Sequence, residues 1–161
     1  MSETVVAPVA VPEELSADVI FDLAHTRRIE LDLSYAGAVT PPEAWSLHTR
    51  RLARLVDVRT APEFRFVGSV PRSINIEWHG SDAEPAAEFL RRLGKLVQRE
   101  EPVLLLCRSA VRSDAAAKAA TAAGFTRVYN VLEGFEGKRN AIGHRGEIDG
   151  WRKHGLPWQQ D

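Results

Sequence analysis

Residues 103–113 read Val-Leu-Leu-Leu-Cys-Arg-Ser-Ala-Val-Arg-Ser, and an alanine-rich stretch runs on from them to Gly124. Four consecutive aliphatic residues predict a strand buried on both faces, as in a parallel sheet covered by helices. The alanine-rich stretch predicts a helix through Ala123, with Gly124 supplying the left-handed residue that ends it. Between them lies a short polar loop that opens on Cys107, the only cysteine in the chain. Strand, short loop and helix in that order are the repeating unit of an α/β fold with a mainly parallel sheet.

Working outward, the same alternation recurs. Leu55-Val56-Asp57-Val58, Ile74-Asn75-Ile76 and Val128-Tyr129-Asn130-Val131 are short runs rich in β-branched residues and predict further strands. Thr40-Pro41-Pro42-Glu43 has the spacing of a capping box with proline in the first turn, and predicts a helix to about Arg51. From Glu84 to Arg99, Ala86, Phe89, Leu90, Leu93, Leu96 and Val97 form one apolar stripe of a helix. Upstream, Ser16 is an N-cap candidate for a short helix carrying Val19, Ile20, Leu23 and Ala24, ending before Ser34–Gly37. Residues 16–35 are thus expected to form an accessory helix and connection, packing outside a main domain at 36–158. Residues 1–15, broken by Pro8 and Pro12, are expected to be a flexible lead.

Composition narrows the function. With 161 residues, 44% of them hydrophobic, one domain can bury a full core. Twenty-one Lys+Arg against 22 Asp+Glu leave a formal charge of −1, so no net basic field favours nucleic acid or an anionic membrane. The N-terminus has neither a basic leader nor a long apolar run, which predicts a cytoplasmic chain without a membrane span. One cysteine and five scattered histidines give no zinc-ligand spacing, and no metal or other cofactor is implied.

Chemistry concentrates on Cys107. In a parallel α/β sheet, ligands bind at the carboxyl ends of the strands, where this loop lies. Its amides and the N-terminus of the following helix can converge on an anion. The helix end, Arg108 and Arg112 should all favour the thiolate, the nucleophilic form of cysteine. By residue type alone, Cys107 is equally suited to ending a core strand as a small apolar side chain; the flanking arginines and the helix favour catalysis. Among other polar residues, Asp57 and Arg59 are expected to form a structural ion pair. Glu63 is expected to brace Arg59 or cap the next turn. The basic, glycine-rich segment 137–146 follows the strand beside the loop and is either a pocket rim or an ordinary solvated loop. The four tryptophans are expected to serve packing.

At these residues the sequence resembles the rhodanese family, whose active-site loop is a cysteine and five further residues ending in arginine, followed by a helix. Asp57-Val58-Arg59, Glu63, Gly68, Pro71, Ser73 and Asn75 fall on that family's upstream pattern. Val131-Leu132-Glu133-Gly134-Phe135 and the stretch from Gly150-Trp151 to Pro157-Trp158 fall on its closing segments, so that the resemblance spans roughly residues 36–158. Ala110 and Val111 depart from the glycine and polar residue common in the loop, Ser69 stands where histidine is frequent, and Glu133 replaces the first of two glycines.

The resemblance implies an α/β fold with a mainly parallel five-stranded sheet and helices on both faces. It also implies sulfur transfer through a Cys107 persulfide. Arg108, Ser109, Ala110, Val111 and Arg112 would bind a small anionic donor such as thiosulfate, with Asp57, Arg59 and Ser113 in support. The acceptor would be a thiol, cyanide or a protein thiol. A cysteine phosphatase or arsenate reductase is the main rival, but four residues separate Cys107 from Arg112 where the phosphatase signature has five. A sulfur relay and a regulatory binding module also remain open, although inactive modules usually lack the cysteine. A Cys/His hydrolase has no histidine assignable beside Cys107.

Overall fold

The structure, a computed structural model, describes residues 15–161. The expected flexible lead lies outside the described residues except for Leu15, whose carbonyl accepts a hydrogen bond from Arg50 at 3.0 Å. In chain order the elements are helix α1 (Ala17–Glu30), strand β1 (Gly37–Val39), α2 (Pro41–Thr49), β2 (Arg54–Asp57), a short π-helical turn (Glu63–Val67), β3 (Ile74–Asn75), α3 (Ala83–Leu96), β4 (Val103–Leu106), α4 (Val111–Ala122) and β5 (Val128–Val131). The sheet runs β1-β5-β4-β2-β3 with every neighbouring pair parallel. A five-stranded parallel α/β sheet is therefore present, as expected.

The aliphatic run of β4 explains the layering. Val103 and Leu105 enter a core with Phe89 and Leu93 of α3 and Ala116, Ala117 and Ala120 of α4. Leu104 and Leu106 enter a second core with Ile20 and Ala24 of α1 and Ala44 and Leu47 of α2. Alternate side chains of one strand thus feed two cores, which is why the strand has no polar position. The helix starts follow their local chemistry. Ser16 accepts from the Val19 amide at 3.2 Å. Thr40 and Glu43 form a reciprocal box, with Thr40 N donating to Glu43 Oε1 at 2.9 Å and Glu43 N to Thr40 Oγ1 at 3.3 Å.

Two expectations need correction. The first helix is not an accessory: Ile20, Phe21 and Ala24 are buried in the second core, and α1 packs on β1. Val19 and Leu23, expected on its apolar face, are 42% and 38% exposed. The buried strip is therefore narrower and rotated relative to the one the spacing suggested. Strand β1 has no separate sign in the sequence; it lies at the start of the 36–158 domain, just before the capping box at Thr40. A Cβ on Gly37 would lie 2.3 Å from the Ala24 carbonyl oxygen, so the glycine is what lets α1 approach this edge strand.

Truncating Ile20 to alanine should therefore destabilise the domain by about 2–5 kcal/mol, as for a filled core site. Urea unfolding measures this, and a loss below about 1 kcal/mol would restore the accessory reading of α1.

Candidate active site

The loop after β4 is fixed through its carbonyls. Phe135 N donates to Cys107 O at 2.8 Å, and Glu136 N and Gly137 N donate to Arg108 O at 3.0 and 3.2 Å. Asn130 Nδ2 donates to Ala110 O at 3.2 Å. No hydrogen bond within the described residues uses the amides of Arg108, Ser109, Ala110, Val111 or Arg112. A loop whose carbonyls are turned into the protein presents its N–H groups the other way, and these lead directly into the N-terminus of α4.

Cys107 forms the floor of this loop and is 1% exposed. Ser113 N donates to its sulfur at 3.3 Å, and Ser113 Oγ lies 3.2 Å away. The Ser113 hydroxyl in turn lies 2.5 Å from Asn130 Oδ1 and donates to it. Because Asn130 Nδ2 is committed to Ala110 O, the amide is oriented with its oxygen towards Ser113. Asn130 was not picked out from the sequence, although a buried amide in the otherwise apolar run of β5 was the available signal. Beside it, Tyr35 donates to Asp114 at 2.5 Å, and burial followed by that carboxylate pushes the phenol pKa up.

The two arginines differ. Arg108 is exposed at the mouth. Arg112 donates to both oxygens of Glu63, at 2.8 and 2.9 Å, strapping the start of α4 to the π turn. This pairing with Arg112 holds the Glu63 carboxyl down at about 2, against a usual 4.5, and raises the Arg112 pKa. Cys107 and Asp57 also interact electrostatically with Arg112. Glu63 was expected to brace Arg59 or cap a turn. It does cap, taking Thr60 N at 3.1 Å, but the arginine it braces is Arg112.

Asp57 and Arg59 lie behind the loop, wholly buried and paired at 2.6 Å. Asn75 Nδ2 holds the carbonyls of both residues, at 3.0 and 2.8 Å. Ser109 and Ala110 are partly buried, whereas Val111 is 73% exposed. None of the five histidines bonds to Cys107. His25 meets Tyr129, His48 the Pro71 carbonyl, and His79, His144 and His154 carboxylates.

The family model for the rhodanese-like domain matches residues 40–141. The chain belongs to the rhodanese-like domain family. Among curated relatives, this rhodanese-like chain is 30% identical over 120 residues to the thiosulfate sulfurtransferase GlpE of Actinobacillus pleuropneumoniae, with 74% of this chain and 89% of that protein covered. It is 34% identical over 114 residues to an uncharacterised protein of Rickettsia rickettsii, with 66% and 83% covered. Among solved structures, Rv0390 from M. tuberculosis superposes with a TM-score of 0.68 at 47% identity, over 80% of this chain and all of that one. Thiosulfate sulfurtransferase from Pseudomonas aeruginosa shares the fold at 19% identity and a TM-score of 0.57, covering 93% of this chain and 23% of that one.

The rhodanese-like loop carries its departures at identifiable positions. Ala110 sits at φ 74° and Glu133 at φ 70°, both left-handed, where glycine is free of Cβ strain. Glu133 has compensating bonds, accepting from Gly150 N at 2.9 Å and lying 2.8 Å from His154 Nε2. Ser69, standing where histidine is frequent, pairs with Gln159 through two backbone hydrogen bonds of 2.8 and 2.9 Å. Gly134 is kept: a Cβ there would lie 2.4 Å from the carbonyl carbon and oxygen of Arg108. Trp78 and Trp151 are buried, consistent with packing, while Trp158 is 40% exposed.

Two outcomes follow. Ala110→Gly should stabilise the domain by about 0.5–1 kcal/mol in urea unfolding, since the left-handed strain exceeds the entropy that glycine adds to the unfolded chain. An unchanged or lower stability would show that the Ala110 methyl is held by compensating contacts. For Glu63 the folded pKa lies below the unfolded one, so its contribution is full above about pH 4.5 and disappears as pH falls towards 2. Glu63→Gln should be less stable by on the order of 1 kcal/mol at neutral pH, allowing for solvent screening, with the gap closing on acidification. A gap independent of pH would remove the ion pair from the account.

Proposed function

We propose that this rhodanese-like domain is a sulfurtransferase that carries a sulfane sulfur as a persulfide on Cys107. The observation that supports this most strongly is the loop itself. Its lone sulfur lies at the base of successive amides with no acceptor among the described residues, and the carbonyls of Cys107, Arg108 and Ala110 are locked into the opposite side. The thiosulfate sulfurtransferase among the relatives points the same way.

In the first half-reaction the Cys107 thiolate attacks the outer sulfur of thiosulfate. A new S–S bond forms, the bond in thiosulfate breaks, and its electron pair leaves with sulfite. The outer sulfur remains on Cys107 as a terminal anion, placed to accept from the amides of Arg108–Arg112. In the second, a thiolate or cyanide attacks that outer sulfur and the electron pair returns to Cys107. The electron count closes without any cofactor. Arg108, at the mouth, draws in the anionic donor. Arg112, neutralised by Glu63, keeps the helix start and hence the cradle in place. Asp57, Arg59 and Ser113 hold the loop from behind. A free thiol that cycles through a persulfide suits a reducing compartment, in keeping with a cytoplasmic location.

Intact mass after treatment with thiosulfate tests this. The protein should gain one sulfur atom that a reductant removes, and Cys107→Ser should gain none because an alcohol cannot form the persulfide. Uptake by the serine variant, or none by the native chain, would overturn the assignment. Hydrolysis of an aryl phosphate in place of sulfur uptake would establish the phosphatase alternative.

A further inference from the structure

The segment following β5 borders the loop and is held in shape by its own polar bonds. Lys138 N donates to Asp149 at 2.9 Å, and Asn140 Oδ1 accepts from the amides of Ile142 and His144 at 3.1 and 2.8 Å. Asn140 Nδ2 donates to Glu147 at 2.7 Å, and Arg145 Nη1 to the Gly137 carbonyl at 2.7 Å. Gly137 is packed so closely that a Cβ would collide with the Asp149 backbone. The segment's side chains are largely exposed, but its backbone is held in one shape by these bonds.

With Ser109 and Val111 of the catalytic loop, Lys138, Arg139, Asn140 and Arg145 line an open cleft of about 600 Å³. Among the ion pairs of the described residues, none includes Arg108, Lys138, Arg139 or Arg145. The neighbouring acids are engaged elsewhere, Glu136 with Arg152 and Glu147 with His144 and Asn140. Partial desolvation, and then the like charges of Arg108 and Arg139, lower the Arg145 pKa against a smaller opposing pull from Glu136, so these cations share one field. On a chain whose net charge is −1 that concentration is local.

We infer that this cleft docks an acidic, cysteine-bearing segment of a protein acceptor, whose thiol takes the sulfur from Cys107. The inference rests on the proposed persulfide and names its acceptor. Cys107 is 1% exposed, so an acceptor thiol must reach in past the loop while its flanking residues lie on the adjoining surface. That surface is cationic, and the exposed Val111 gives it an apolar contact. An open cleft lined by three cations that enter no ion pair among the described residues matches carboxylates spread along a peptide better than a small thiol, which needs enclosure to bind. In the transfer, the acceptor thiolate attacks the outer sulfur and the Cys107 S–S bond breaks. The acceptor leaves as a persulfide and Cys107 as a thiolate.

The test begins with protein loaded from thiosulfate and verified by mass, then follows sulfur removal by a cysteine peptide flanked by Asp and Glu. Its Asn/Gln counterpart, glutathione and β-mercaptoethanol serve as comparisons. The acidic peptide should exceed its amide counterpart in kcat/KM by about tenfold at low salt, with the advantage falling as ionic strength rises. Lys138→Ala/Arg139→Ala should abolish that advantage and leave turnover with β-mercaptoethanol unchanged. Equal rates for the two peptides, or an advantage that survives in the double variant, would overturn the inference. Glutathione matching the acidic peptide would replace the protein segment with a small anionic thiol. Failure to load sulfur at the first step would instead bring down the proposed function, and the acceptor with it.

Discussion

Arg59 is a guanidinium with no exposure to solvent, and the arrangement around Cys107 depends on how its charge is met. Its Nε and Nη2 engage both oxygens of Asp57, and Nη2 also donates to the Gly68 carbonyl at 2.7 Å. Nη1 has no hydrogen-bond acceptor among the described residues, but the Phe135 ring lies 4.4 Å from the guanidinium carbon and offers its electron-rich face. One cation thus joins the end of β2, the end of the π turn and the segment after β5. Phe135 then bonds through its amide to the Cys107 carbonyl. Removing either charge would leave the other buried without compensation, which typically costs about 3–5 kcal/mol. The pair is therefore a specification of geometry at the back of the cradle more than a source of net stability.

The parts of this arrangement that were legible in the sequence are those set by local chemistry. The aliphatic runs of β2, β4 and β5, the capping box at Thr40 and the glycine ending α4 each declare themselves within a few residues. Strand β1 did not, because Gly37-Ala38-Val39 has a single β-branched side chain and its pairing partner is β5, some ninety positions away. Its glycine is explained only by α1 lying against it. The buried strip of α1 is hidden from the sequence for the same reason: Val19 and Leu23 fit a helical stripe as well as Phe21 does, and only the packing of α1 on β1 decides between them. Apolar spacing defines that a helix is amphipathic, whereas the neighbouring elements decide where its buried strip begins and ends.

Site residues divide along the same line. Cys107, Arg108 and Arg112 lie in one loop and were visible as a pattern. Glu63 was visible as a polar residue near a turn, but its partner is 49 positions further on, and no spacing rule links them. Asn130 could have been found as a buried amide in an apolar strand. Its role required seeing Ser113 and Ala110 brought against it. The basic segment 137–146 was ambiguous in composition; Asn140, Arg145 and the close approach of Gly137 to Asp149 are what turn it into a fixed wall beside the loop.

The loop's departures from its family pattern connect stability with chemistry. Ala110 holds a left-handed conformation that favours glycine, and its carbonyl is anchored by the same Asn130 amide whose oxygen takes the Ser113 proton. A hydroxyl that donates to Asn130 has only lone pairs to offer Cys107, so it can accept a hydrogen bond from a thiol proton but cannot at the same time donate to the sulfur. When that proton leaves, the serine hydroxyl must either turn towards the sulfur, giving up Asn130, or present its lone pairs to an anion. The Ser113 amide, fixed by the helix, donates to the sulfur in either state. Ala110, Ser113 and the Cys107 sulfur are thus linked by hydrogen bonds through the one orientation of Asn130. The left-handed alanine persists because Asn130 and α4 hold it on both sides, while Gly134 packs against the loop at Arg108.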